Sequence, residues 1–245
     1  MKTIIWSMGL WLLGIAPVAA LDLRTPETLA YSVYWGPVKM GAAQLTYTPE
    51  KGRYTLRAEV KDNSSLIDLS DSWESRGVHT EKAPFRPEVY HVKQAENSYR
   101  ADKTMTFDRA AKVVRYQNHI DATDEVEPLP LVDARDVLAT VYTWRLRGDE
   151  EVMRGANVPM VSLKREITLK REAGVRETLK VGKRTLPVWK VQMRTIKGTK
   201  PSKDTWTVYL TDDAAMVPVR IVAATKFGTF RAELDQLPAV SNNTR

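Results

Sequence analysis

The chain has 245 residues, no cysteine, and 37 Lys and Arg against 30 Asp and Glu, for a formal net charge of +7. The missing cysteine excludes disulfides, thiol chemistry and a lipoprotein-type lipid anchor. The length is enough for one well-buried domain.

The first twenty residues read as a secretory signal peptide. Lys2 is their one charge, residues Ile4 to Ile15 are apolar or small, and Pro17 breaks the run. Val18 and Ala20 are the small side chains that signal peptidase needs before a cut after Ala20. The apolar run is about a dozen residues, and roughly 20 are needed to span a bilayer. Cleavage removes Lys2, leaving 225 residues with 36 basic side chains against 30 acids, a net of +6. The expected location is the periplasm. There the positive excess points away from nucleic acid and toward lipid headgroups, glycolipid or acidic glycans, or serves as an ordinary solvated surface.

The mature chain reads with period two. Leu29 to Trp35, Ala43 to Tyr47 and Tyr54 to Val60 each alternate, with turns at Gly36-Pro37 and Lys51-Gly52. This is the pattern of a β-meander. Leu66 to Val78 and Val89 to Gln94 continue it. Ser98 to Phe107 and Lys112 to Ile120 form a hairpin around Asp108-Arg109-Ala110. An acidic stretch, Asp121 to Glu127, reads as a solvated loop.

Between Pro130 and Gly148 the apolar spacing becomes helical. A helix is expected over about 134–147, with Asp133 as N-cap, Arg145 and Arg147 in the last turn and Gly148 closing it. Strands resume from Met160. Lys164 to Arg184 reads as a hairpin with one apolar side and a basic outer side that carries Lys170, Arg171, Arg176 and Lys180. Those four are the expected contacts for an anionic partner. The same charges also suit an aggregation-resistant edge. Lys197 to Lys203 reads as a loop, Thr211-Asp212-Asp213 as a turn, and 238–245 as a disordered tail.

The expected fold class is therefore mainly β. It is a curved antiparallel sheet or open β-barrel of meander type, forming a single domain over 21–237, with one main helix packed against it.

The search for chemistry finds little. His79, His91 and His119 are the three histidines, and none sits in a nucleophile motif. Their spacings of 12 and 28 residues do not match a zinc signature. Pairing of strands could bring His79 to His91, but no third ligand is implied. Asp212-Asp213 suits a turn, and no phosphate loop is present. No catalytic residue, metal or cofactor is expected. Aromatic residues are the remaining clue. Trp35, Trp73, Tyr142 and Trp144 are the candidates for lining an apolar groove between helix and sheet, which would suit an acyl chain.

Several segments in order resemble the bacterial exported family catalogued as DUF3108, a domain of unknown function. They are Tyr31-Ser32-Val33-Tyr34-Trp35-Gly36 with Gly41, Phe85-Arg86-Pro87, Phe107-Asp108, Asp136 to Arg145, Val208 to Asp213, and Val217-Pro218-Val219-Arg220. The resemblance spans nearly the whole mature chain. It implies a periplasmic β-rich domain wrapped on a helix, loosely similar to lipoprotein carriers, and supplies no catalytic residues. The leading expectation is a non-enzymatic binder of a lipid or other amphipathic envelope component. A scaffold with a protein partner is the alternative, and a hydrolase is a third reading that the residues speak against.

Overall fold

The computed structural model describes residues 21–62, 68–79, 85–129, 133–162, 165–197, 200–226 and 228–238. The expected leader and residues 239–245 of the expected tail lie outside them.

Eight strands come first: β1 (Glu27–Trp35), β2 (Val38–Glu50), β3 (Arg53–Asp62), β4 (Ser70–Val78), β5 (Arg86–Glu96), β6 (Tyr99–Asp108), β7 (Val113–Asn118) and β8 (Thr123–Pro128). Each pairs antiparallel with the next. Two helices follow, α1 (Val137–Arg147) and α2 (Asp149–Met153). Then come β9 (Ala156–Ser162), β10 (Arg165–Arg171), β11 (Val175–Val181), β12 (Arg184–Lys197), β13 (Lys200–Thr211), β14 (Pro218–Thr225) and β15 (Gly228–Leu234). β15 pairs with β1, so the two runs join into one antiparallel sheet from β8 to β9. The main expectation, a mainly β meander with one long helix, holds. Among the described residues no helix is long and apolar enough to cross a membrane.

Short turns make the meander possible. Lys51 and Gly52 both have positive φ, 31° and 81°, which lets two residues reverse the chain between β2 and β3 with the strand twist preserved. Alternation then sets the faces. On β1, Leu29 and Tyr31 are buried, and on β13, Val208 and Leu210. We call the face that carries these residues the inner face.

Helix α1 lies against that face. Asp136, not Asp133, is its N-cap, and Oδ1 accepts the Ala139 N–H at 2.9 Å. The helix starts later than expected because residues 133–136 are drawn toward the sheet. Arg135 forms a parallel bridge with Met160, and its carbonyl accepts the Val161 N–H. Gly148 closes the helix by donating to the Trp144 carbonyl. Burial extends round most of the helix. Tyr142 joins Tyr47, Tyr54, His79 and Phe85 in an aromatic cluster with ring centroids 4.9–6.1 Å apart. Trp144 packs into a second cluster with Trp189, Val191, Met193 and Val208.

Three local expectations are corrected. The acidic stretch is not a loop: Thr123 to Pro128 is edge strand β8, held by its ladder to β7. Lys200 to Lys203 belongs to β13 rather than to a loop. β10 and β11 do not form a hairpin. Both lie along the same edge of β12, end to end, with β10 against Met193–Ile196 and β11 against Arg184–Lys190. The break between them turns at Glu172–Gly174, where Glu172 N–H donates to Gln192 and Gly174 N–H to Val152.

Candidate functional site

The sheet has two ends, defined by its turns. The Lys51-Gly52 turn, the start of β1 and the start of α1 are at one end. The Gly36-Pro37 turn, the connection between β14 and β15 and the start of β13 are at the other. Helix α1 closes the first end. Arg145, on its last turn, reaches Glu27 at the start of β1, with Nη1 and Nη2 donating to the two carboxylate oxygens at 2.5 and 2.8 Å. Its Nε donates to the Ala215 carbonyl at 3.1 Å. At the helix start, Asp136 Oδ2 accepts from the Ser75 hydroxyl at 2.6 Å, and Ser75 lies 3.2 Å from the Tyr54 hydroxyl.

The opposite end is not covered by the helix, and its inner face is apolar. Register carries one row across four strands. Trp35 on β1 faces Phe230 on β15, which faces Ala223 on β14, which faces Trp206 on β13. The next row runs Val33, Ala232, Ile221, Val208. Trp35 is 41% exposed and Trp206 44% exposed, high values for tryptophans on a core-bearing face. Trp35 stacks on Phe230, with centroids 6.2 Å apart and planes 11° from parallel. Beneath it lies Gly228, at φ 118°, where a Cβ would come 2.6 Å from the Trp35 indole nitrogen. Glycine thus lets the tryptophan lie flat at the rim. Exposed lysines ring this end: Lys39, Lys61, Lys203 and Lys226, with Asp62 and Asp204 among them.

Deeper on the N-terminal half, half-buried Trp73 packs against the core beside Ala58. Near it Gln94 Nε2 donates to both Asp71, at 3.0 Å, and Glu96, at 3.2 Å. Burial and the neighbouring Asp71 carboxylate push the Glu96 pKa up to about 7.

The four aromatic candidates therefore part company. Trp35 lies exposed at the open end, whereas Trp73 packs half-buried against the core. Tyr142 and Trp144 are buried in the packing of the helix on the sheet. Two surface clefts, of about 170 Å³ beside Lys180 and Arg220 and about 270 Å³ beside His79 and Gly52, fall below the roughly 300 Å³ at which small-molecule pockets begin.

The basic candidates divide as well. Lys170, Arg176 and Lys180 are exposed, and Arg176 pairs with Asp212 at 3.1 Å. Arg171 was expected on the outer basic side and is instead buried. Alternation with Leu169 turns it inward, where it donates to Glu151 at 3.3 Å and to the Arg154 carbonyl at 2.8 Å. Its guanidinium sits 5.3 Å over the Trp144 ring. The short helix α2, not anticipated from the sequence, brings Glu151 to it.

Residues 30–235 match the family described as protein of unknown function (DUF3108). The chain belongs to the DUF3108 family. Among solved structures it is similar to a beta-barrel-like protein of domain of unknown function DUF1849 from Brucella abortus. The TM-score is 0.56 at 9% identity, covering 89% of this chain and 97% of that one. At that identity the likeness is one of fold. No curated protein matches the chain.

Phe230 and Trp206 are the residues that sequence reasoning did not place at the site. Trp206 alternates with Val208 and Leu210, which already put it on the apolar face. Its distance from the helix is what exposes it.

Proposed function

We propose that this DUF3108 protein is an exported, non-catalytic binding protein that engages an amphipathic component of the cell envelope at the open end of its sheet. The row of exposed Trp35, half-buried Phe230, buried Ala223 and exposed Trp206, within a ring of lysines, carries the reading. Tryptophan at a rim with flanking cations suits a molecule with an acyl part and an anionic head. The burial of Tyr142 and Trp144 under the helix supports a contact at the rim rather than between helix and sheet. Export rests on the leader.

Vesicles of phosphatidylglycerol and of phosphatidylcholine provide the test. The protein should cosediment with the anionic vesicles, and its tryptophan emission should shift to the blue. Trp35→Ala and Trp206→Ala should each weaken binding about tenfold or more, the loss expected for one tryptophan's apolar contact. Equal, negligible sedimentation with both lipids would overturn the reading.

A second reading is a protein partner added to a sheet edge. Strand β8 favours it, since among the described residues no strand pairs with its outer edge. Its run of Asp124, Glu125 and Glu127 ending in Pro128 also guards such an edge against chance pairing. Crosslinking from β8 to one specific protein, with no vesicle binding, would favour this reading.

A further inference from the structure

The second and third histidines of the chain meet on the outer face of the sheet, far from the helix. On β5, Tyr90 and Val92 are buried, so His91 points outward. On β6, Ala101 and Met105 are buried, so Asp102 and Thr104 point outward. Thr104 is the cross-strand partner of His91, which makes Asp102 its diagonal neighbour on the same face. His119 follows β7, and its N–H donates to the Asp102 carbonyl at 2.8 Å, which places it beside Asp102 on the far side.

We propose that His91, Asp102 and His119 form a binding site for a divalent transition metal, with Zn²⁺ as the ion the ligand set fits. One ligand atom from each lies within 4.8 Å of the others, and His91 Nε2 is 2.7 Å from Asp102 Oδ1. Around a tetrahedral zinc ion such atoms stand about 3.4 Å apart, as bonds of about 2.1 Å require. Small side-chain rotations reach that spacing, and paired strands β5 and β6, with the His119 N–H bonded to the Asp102 carbonyl just after β7, hold the Cα positions. Two imidazoles and a carboxylate are donors suited to zinc, and three protein ligands leave a fourth position open.

The surroundings support the assignment. Thr104 Oγ1 lies 2.8 Å from His119 Nε2, an outer contact that orients the ring as metal-bound histidines are oriented. The two imidazoles stand edge to face with centroids 6.0 Å apart. Lys93, the cross-strand partner of Asp102, is the nearby opposing charge and sets the affinity below that of a closed structural zinc site. His79 is not part of the cluster. It is buried at the other end of the sheet, with Nε2 3.0 Å from the Tyr47 hydroxyl.

The test is calorimetric titration of tag-free protein with ZnCl₂ at neutral pH, read beside NMR of the histidine rings. One Zn²⁺ should bind per chain, and the signals of His91 and His119 should move while those of His79 stay. His91→Ala and the isosteric Asp102→Asn should each weaken binding by at least about tenfold. All three side chains face outward, so far-UV circular dichroism should be unchanged by these substitutions. Absence of saturable zinc uptake would overturn the assignment, as would uptake undiminished in the His91→Ala/His119→Ala double variant.

Discussion

Glu27→Ala should lower the unfolding free energy by about 3–5 kcal/mol, the loss expected when one partner of a buried ion pair is removed. The Arg145 side chain is 1% exposed and donates to both Glu27 oxygens. Without Glu27 it is a buried cation with two unpaired donors, and the Tyr142 hydroxyl, 3.2 Å from Oε2, loses its acceptor too. Among the described residues, the guanidinium then keeps the Ala215 carbonyl and the Tyr142 ring, whose centroid is 4.9 Å away. Removing the other partner costs less. Glu27 is 16% exposed, so after Arg145→Met water can reach its carboxylate. The double variant, with no stranded charge, should be more stable than Glu27→Ala alone. Urea unfolding of the three variants measures this. Equal effects of the two single substitutions would mean that the pair behaves as a surface contact. The pair ties α1 to β1 and to the β13–β14 connection, and so keeps the helix at the closed end and off the aromatic rim.

How far the sequence carries the fold depends on where each element's information lies. The first strands were legible because alternation and two-residue turns are local signals, as at Tyr54 to Val60 after Lys51-Gly52. β8 was not. With Asp124, Glu125 and Val126 all exposed it has no buried side, and only pairing with β7 makes it a strand. The helix start was displaced for a similar reason, since the Arg135–Met160 bridge is a contact 25 positions along the chain. The β1–β15 pairing that joins the two runs of strands leaves no local trace.

The sites follow the same rule. Trp35 could be named because it alternates with Tyr31 and Val33. Its neighbours Phe230 and Trp206 come only through register across β15, β14 and β13. The ligand missing from a histidine count was Asp102, an ordinary strand residue until β5, β6 and the end of β7 are set side by side. Arg171 shows the opposite failure. A basic run suggested an outer face, but strand parity turned one member inward to Glu151.

Asp136→Asn should raise stability at neutral pH and remove a specific pH dependence. Asp136 is fully buried, and burial pushes its pKa up to about 6 from 3.8, against the lowering effect of its bonds from Ser75 and Ala139. A carboxyl with a folded-state pKa above its unfolded value stabilises the fold fully below about pH 4 and loses that contribution as pH rises through about 6. The loss amounts to about 3 kcal/mol for a shift of roughly two pH units. Asparagine caps helices as well as aspartate does, so its Oδ1 can keep the Ala139 bond. Its Nδ2 can donate to Ser75, because the Ser75 and Tyr54 hydroxyls can rotate to reverse their direction. Asp136→Ala offers neither bond and should destabilise the protein by about 1–3 kcal/mol. The decisive quantity is the difference in unfolding free energy between wild type and Asp136→Asn from pH 4 to pH 7.5, in which the other carboxylates cancel. It should favour the variant increasingly as pH rises. A difference constant over that range would mean that Asp136 ionises alike in the folded and unfolded chain, with water reaching the helix start.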